Sequence, residues 1–242
     1  MVEGASLCVA SDSIRAHDTH KAETGKVLPA FRAKGEEPMM RLPALIVAAL
    51  ALTGVAELRL FDGATFTGWE GNLDWFRIEQ GEIVGGSFEK PIPQNEFLCT
   101  KESYEDFDLT LEVKLTGKGA NAGIQFRTAR IPNHHEVSGY QADMGEGWWG
   151  CLYDESRRNK VLSRPDEETL KEALRPEEWN TYRIRAEGPR VQLWLNGVQT
   201  VDYTEKEEGI ARSGVIAVQI HGGPPAEARY RNIRLTPLGE TP

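Results

Sequence analysis

Hydrophobic and polar positions alternate with a period of two along most of residues 57–242. In FDLTLEVKL, Phe107, Leu109, Leu111, Val113 and Leu115 fall on one side, and Asp108, Thr110, Glu112 and Lys114 on the other. Successive side chains of a strand point to opposite faces, so this segment is a half-buried antiparallel strand. RVQLWLNGVQTVDY (190–203) reads as a hairpin about Asn196-Gly197, a pair that accepts the positive φ of a two-residue turn. That register puts Val191, Leu193, Leu195 and Val198 on one face, and Gln192, Trp194, Gln199 and Val201 on the other. Further strands are predicted in WFRIEQGEIVG (75–85), NAGIQFRTA (121–129), GYQADMG (139–145), NTYRIRAEG (180–188), GVIAVQIHG (214–222) and RYRNIRLTPL (229–238).

One stretch reads as a helix. Pro165 and Asp166 open PDEETLKEALRPEE, with acids in the first turn, where the helix dipole favours them, and Leu170 and Leu174 four apart. Many short strands, glycine-rich turns and one short helix predict an all-β domain, a β-sandwich or jelly roll, with residues 57–242 forming a single domain.

The first 56 residues do not share this pattern. Residues 39–56, MMRLPALIVAALALTGVA, have a basic flank at Arg41, an apolar run from Leu42 to Leu52 and small residues at Gly54 and Ala56. This is the composition of a secretory signal, and the run is short for a bilayer-spanning helix of ~20 residues. A buried core helix or a membrane anchor is the alternative. Residues 1–38 are polar and without periodicity, as in a disordered or mis-started extension. The expectation is export to the periplasm or the exterior, with no stable membrane anchor once the signal is cleaved.

Charge narrows the partners. The chain carries 28 Lys+Arg and 37 Asp+Glu, a net charge of −9, and residues 1–56 are balanced, so the acidity belongs to the predicted domain. An acidic domain repels nucleic acid and anionic membranes. Of three cysteines, Cys8 precedes the domain; Cys99 and Cys151 either pair or remain as two burial-prone thiols.

Alternation also selects an outer face with unusual chemistry. If Ile124 and Phe126 face the core, Gln125 and Arg127 face outward. Likewise Gln141 and Asp143 stand opposite Tyr140, Ala142 and Met144, and Gln219 and His221 stand opposite Ile216, Val218 and Ile220. A merely solvated face draws on Lys, Glu and Thr, whereas this one offers amides, a carboxylate, a guanidinium and an imidazole. These are groups with paired donors and acceptors suited to sugar hydroxyls. Trp148, Trp149 and Trp194 are candidate platforms for the apolar face of a sugar ring, and GEGWWG (145–150) is expected to rim the open face, with one tryptophan plugging the sandwich. Each polar residue has a plainer role open to it. Arg127 can pair with Asp143, Asp154, Glu155, Arg157 and Arg158 can form a surface charge network, and His221 can be a loop histidine. His134, His135 and Glu136 lack the spacing of a dedicated metal site and read as a solvated loop.

Taken in order, LFDGATFTGWEG, FLCTKESYEDFDLTLEVKL, NAGIQFR, GYQADMGEGWWGCLYDE, EEWNTYRIRAEG, VQLWLNGV, IAVQIHGG and RYRNIRL resemble the 3-keto-disaccharide hydrolase domain family over roughly residues 58–238. The strand at 139–145 carries Tyr-Gln-x-Asp where many members have Glu-x-Gln-x-x-Asp. The resemblance implies a concanavalin A-like jelly roll and a hydrolase of glycosides already oxidised at carbon three. A ketone there acidifies the proton on carbon two, so a base can form an enolate and expel the anomeric substituent, after which water adds back. The resemblance points to His221 as acid/base, Asp143 as its partner or a second base, and Arg127 as binder of the ketone or enolate oxygen. A divalent metal held by Asp143 and His221 is the alternative to Arg127. Gln125, Gln141, Gln219, Tyr140, Glu112, Asp154, Trp148 and Trp149 complete the expected contacts to an oligosaccharide or oxidised disaccharide. Two other functions compete. One is a non-catalytic carbohydrate-binding module, and the other an ordinary two-carboxylate glycosidase using Glu112 and Asp143.

Overall fold

The computed structural model describes residues 56–239. The extension at 1–38 and all of the signal at 39–56 except Ala56 lie outside the described residues. The chain forms β1 (Leu58–Arg59), β2 (Trp69–Glu70), β3 (Phe76–Glu79), β4 (Glu82–Ser87) and β5 (Glu96–Tyr104). There follow β6 (Phe107–Thr116), β7 (Asn121–Arg130), β8 (Val137–Gly145), β9 (Leu152–Glu155), β10 (Lys160–Ser163) and the helix α1 (Glu167–Ala173). β11 (Asn180–Glu187), β12 (Arg190–Leu195), β13 (Val198–Thr204), β14 (Gly214–Ile220) and β15 (Ala226–Pro237) complete the order.

Two antiparallel sheets pack face to face as a jelly-roll β-sandwich. One runs β13-β12-β11-β6-β15-β4-β3 with β1 added on β15; the other runs β10-β9-β8-β7-β14-β5-β2. The core between them is built by alternation. Phe107, Leu109, Leu111 and Val113 from β6 are fully buried, and so are Ile124, Phe126, Ala142, Met144, Ile216, Val218 and Ile220 from the second sheet. Burying a side chain of this size stabilises the fold by about 1.5–3 kcal/mol, which fixes which face of each strand turns inward. A one-residue slip would reverse every one of these positions.

The helix forms where Asp166 caps it. Its side chain accepts from the Thr169 backbone N–H at 2.8 Å, and Leu170 and Leu174 pack against the core. The 190–204 hairpin turns at Asn196 and Gly197, both at positive φ, as the turn requires. Its register differs from simple alternation in one place. Trp194 pairs with Gln199 but Leu193 pairs with Val201, so Thr200 is an extra residue. This bulge turns Val201 into the core beside Leu193. Trp194 stays on the outer face of the first sheet under the Arg183 guanidinium, far from the predicted open face. Cys99 and Cys151 are both buried and free.

Candidate functional site

The outer face of the second sheet is not a flat solvated surface. β7 and β8 are buried on both sides along most of their length, and the segment joining them is fastened to its neighbours. Glu136 in that segment accepts from Asn95 Nδ2 at 3.1 Å and Ser156 Oγ at 3.3 Å, and His135 Nδ1 meets the Asn95 carbonyl at 3.0 Å. His134 and His135 stack on each other with ring centroids 4.4 Å apart and take part in a structural strap. Gln125 and Gln219, expected to contact substrate, are both fully buried and do not line the open pocket.

Beside the buried part, a pocket of about 400 Å³ stays open, within the size of small-ligand sites. Gln141 and Asp143 from β8 and Tyr153 and Glu155 from β9 form its floor. Asn121, at the start of β7, and His221, just past β14, form one wall, with Gly119 and Gly222 beside them and Trp148 at the rim. The register explains the floor. Gln141 pairs with Tyr153, Ala142 with Leu152, and the Asp143 amide bonds to the Cys151 carbonyl at 3.0 Å. Ala142 and Leu152 take the core side, so Gln141, Asp143, Tyr153 and Glu155 all stand outward. Gly123 on β7 leaves room for this: a Cβ there would lie 2.6 Å from Gln141 Cγ and Cδ, so a side chain at 123 would push Gln141 out of place. Gln141 instead accepts a hydrogen bond from Gln125 Nε2.

Two carboxyls in this pocket are perturbed. Burial pushes Asp143 up to about 7, against hydrogen bonds from Gln141, the Met144 amide and Asn121, and the charge of Glu155 raises it further. Burial likewise raises Glu155 to about 7, assisted by the charges of Glu136 and Asp154 and opposed by the backbone of Ser156. Carboxyls that change protonation near neutrality are suited to proton transfer or to hydrogen-bond donation. His221 is exposed at the rim. Its backbone N–H donates to the Asn121 carbonyl at 3.1 Å, and its Nδ1 lies 2.6 Å from the Gly222 carbonyl oxygen. A carbonyl only accepts, so Nδ1 carries the proton, and neutral His221 presents Nε2 as a base.

Several expected residues are elsewhere. Arg127 does not reach Asp143. β7 holds one extra residue between Phe126 and Ala129, and Arg127 sits in this bulge at φ 46°. Its side chain turns through the end of the sandwich, is 2% exposed, and donates to the Glu105 and Gly188 carbonyls and to Asp106 at 2.6–2.8 Å. It ties the two sheets together and is not an oxyanion ligand in this pocket. Tyr140 faces the core, stacked on Phe126, and its hydroxyl donates to Glu205 at 2.6 Å. Glu112 lies on the outer face of the first sheet, 2.6 Å from Arg231 Nε. Glu112 and Asp143 therefore stand on opposite outer faces of a sandwich whose sheets are about 10 Å apart, and cannot act as a glycosidase pair. Asp154 turns inward beneath Tyr140 and is neutralised by Arg157 and Arg158. Trp149 plugs the sandwich, stacked on Tyr182 at 6.3 Å, while Trp148 is 39% exposed and meets Tyr153 edge-on at 5.8 Å. Asn121, Tyr153 and Glu155 are pocket residues that the sequence reading did not assign to a site. Alternation within NAGIQ and CLYDE carries the signal for all three. Among the described residues no three His, Cys, Asp or Glu side chains converge closely enough to hold a metal ion.

Comparison with known proteins agrees with this architecture. A family model described as "3-keto-alpha-glucoside-1,2-lyase-like domain" matches residues 58–236. No curated protein matches the chain. Among solved structures, a candidate glycosyl hydrolase from Parabacteroides distasonis is 19% identical, with TM-score 0.57, covering 76% of this chain and 94% of its own. A Bacillus subtilis protein of unknown function with a galectin-like fold is 11% identical, with TM-score 0.57 and coverage of 75% and 94%. The carbohydrate binding module CBM66 from Bacillus subtilis is 14% identical, with TM-score 0.52 and coverage of 70% and 95%. At these identities the likeness is one of fold.

Proposed function

The chain belongs to the 3-keto-alpha-glucoside-1,2-lyase-like domain family, and on that premise we propose that it cleaves 3-keto-glycosides by elimination followed by hydration, as an exported protein. The observation that carries the proposal is a polar pocket holding two carboxyls poised near neutrality beside a histidine whose Nε2 is free to accept. An ordinary glycosidase needs two carboxylates flanking an unactivated bond. An elimination needs a base for the proton on carbon two, a donor for the developing enolate oxygen and an acid for the leaving oxygen.

The pocket supplies one group for each task. His221 Nε2 takes the proton from carbon two. The electron pair left there forms the enolate with the ketone at carbon three, and protonated Glu155 donates a hydrogen bond to that oxygen, as a buried carboxyl of raised pKa can near pH 7. Collapse of the enolate breaks the bond from carbon one to the leaving oxygen, which takes the proton of Asp143. The Asp143 carboxylate then takes a proton from water as the hydroxyl adds to carbon one, and His221, exposed and exchanging with solvent, returns a proton to carbon two, so both groups are reset. Asn121 and Gln141 orient the ring hydroxyls, and Trp148 covers one ring face.

The test is product release from a 3-keto-disaccharide and from its unoxidised parent by residues 57–242. Cleavage of the keto form alone supports elimination. Sugar binding with cleavage of neither replaces it by a carbohydrate-binding module.

A further inference from the structure

A second hollow adjoins the polar pocket. It measures about 610 Å³ and is lined by the apolar side chains of Phe88, Leu115, Ala120, Trp149, Leu174 and Pro176. Phe88 is 52% exposed, a high value for a phenylalanine. Of its polar residues, Lys118, Glu146 and Glu177 are exposed at its edge, and Thr116, at the end of β6, is half-buried. The two hollows share Gly119, and the same two turns contribute to the lining of both. The β6–β7 turn gives Gly119 to each, and the β8–β9 turn gives Trp148 to the polar pocket and Gly145, Glu146 and Trp149 to the apolar one.

The strand direction orders the groups. β8 runs from Gly139, which pairs with Glu155, to Gly145, which lines the apolar hollow. Asp143 is therefore at the end of the pocket nearest the apolar hollow, and Glu155 at the far end. A substrate whose ketone is held by Glu155 and whose leaving oxygen meets Asp143 directs its leaving group over Gly119 onto Phe88. Building on the keto-glycoside function above, we infer that this apolar hollow is the leaving-group subsite and that it takes a planar aromatic aglycone in preference to a second sugar. A second sugar would need several hydrogen-bonding partners inside the hollow to replace the water it loses, and away from the exposed edge the lining offers one polar side chain, Thr116. An aromatic ring needs apolar area, which Phe88, Leu174 and Pro176 supply.

The experiment compares the wild type with Phe88→Ala on the 3-keto forms of phenyl and methyl glucoside of one anomeric configuration. Calorimetric binding of the two unoxidised glucosides accompanies the kinetics, so that recognition is read apart from chemistry. The wild type is expected to bind and turn over the phenyl compound with the lower KM. Phe88→Ala should raise its KM about tenfold relative to the methyl compound, the effect of losing roughly half a buried ring. Equal KM values for both substrates in the wild type, or a parallel change for both in Phe88→Ala, overturns the aromatic subsite while the keto-glycoside function stands. Turnover of neither keto compound overturns that function and the subsite with it.

Discussion

Asp143 and Glu155 stand on neighbouring strands of one sheet face, with the paired side chains of Gln141 and Tyr153 between them. Neither carboxyl is neutralised by an arginine, although arginines dominate the ion pairs elsewhere in the molecule. The adjacent Asp154 shows the contrast. It faces the other way along the same strand and is held by Arg157 and Arg158. Two carboxyls left without cations in a partly dry pocket are costly to ionise, and that cost is what brings them to about 7.

Stability should record this cost. An unfolded aspartate titrates near 4, whereas Asp143 titrates at about 7 in the fold. Between those values the folded chain holds a proton that the unfolded chain has released, so stability falls as pH rises from about 4 to about 7 and is flat above. Asp143→Asn keeps the acceptor for the Met144 amide but removes the charge. It should gain on the order of 2–4 kcal/mol over wild type at pH 8 and little at pH 4, read from urea unfolding at both values.

Activity should fall on the alkaline side. Asp143 and Glu155 both act in their protonated forms, so kcat/KM should decline above about 7 with a limb approaching two protons. Glu155→Gln keeps a donor at the same place and should reduce that limb to one proton while retaining measurable turnover. A pH profile of the two proteins decides the matter; an unchanged limb removes Glu155 from the chemistry.

Arg127 should behave as a structural residue. Arg127→Ala leaves two buried carbonyls and Asp106 without their donor and should cost about 2–4 kcal/mol, discounted because Asp106 is partly exposed. The folded fraction should bind sugar with unchanged affinity. A fall in affinity at constant stability would return Arg127 to the site.

The adjacent tryptophans should separate cleanly. Trp149→Ala opens the sandwich end beside Tyr182 and should destabilise by about 3–5 kcal/mol. Trp148→Ala should leave the unfolding midpoint within the range of surface changes and weaken sugar binding by roughly 1 kcal/mol. Paired unfolding and titration curves distinguish the two.

Period-two alternation made most of this molecule legible in its sequence. It located the strands, the inward faces, and the outward Gln141 and Asp143 on one strand with the outward His221 just past the end of another. It failed where a strand departs from strict alternation. The bulge at Arg127 and the bulge at Thr200 each reverse the side chains that follow, and neither carries a glycine or proline to announce it. Glu155 was hidden for another reason. It sits in a run of acids and arginines that resembles a solvated network, and only the pairing of β8 with β9 shows that Asp154 and Glu155 face opposite ways. Glu112 was misplaced because one strand's pattern does not say which sheet the strand joins.

The measurement that bears most directly on the account is the isotope content of the released 3-keto sugar when cleavage runs in deuterium oxide. Elimination and hydration exchange the hydrogen on carbon two through the solvent-exposed His221, so the product should carry one deuterium there as it forms, and the released aglycone should gain none on carbon. Product released with its original hydrogen still on carbon two would contradict the elimination and the roles given to His221, Asp143 and Glu155.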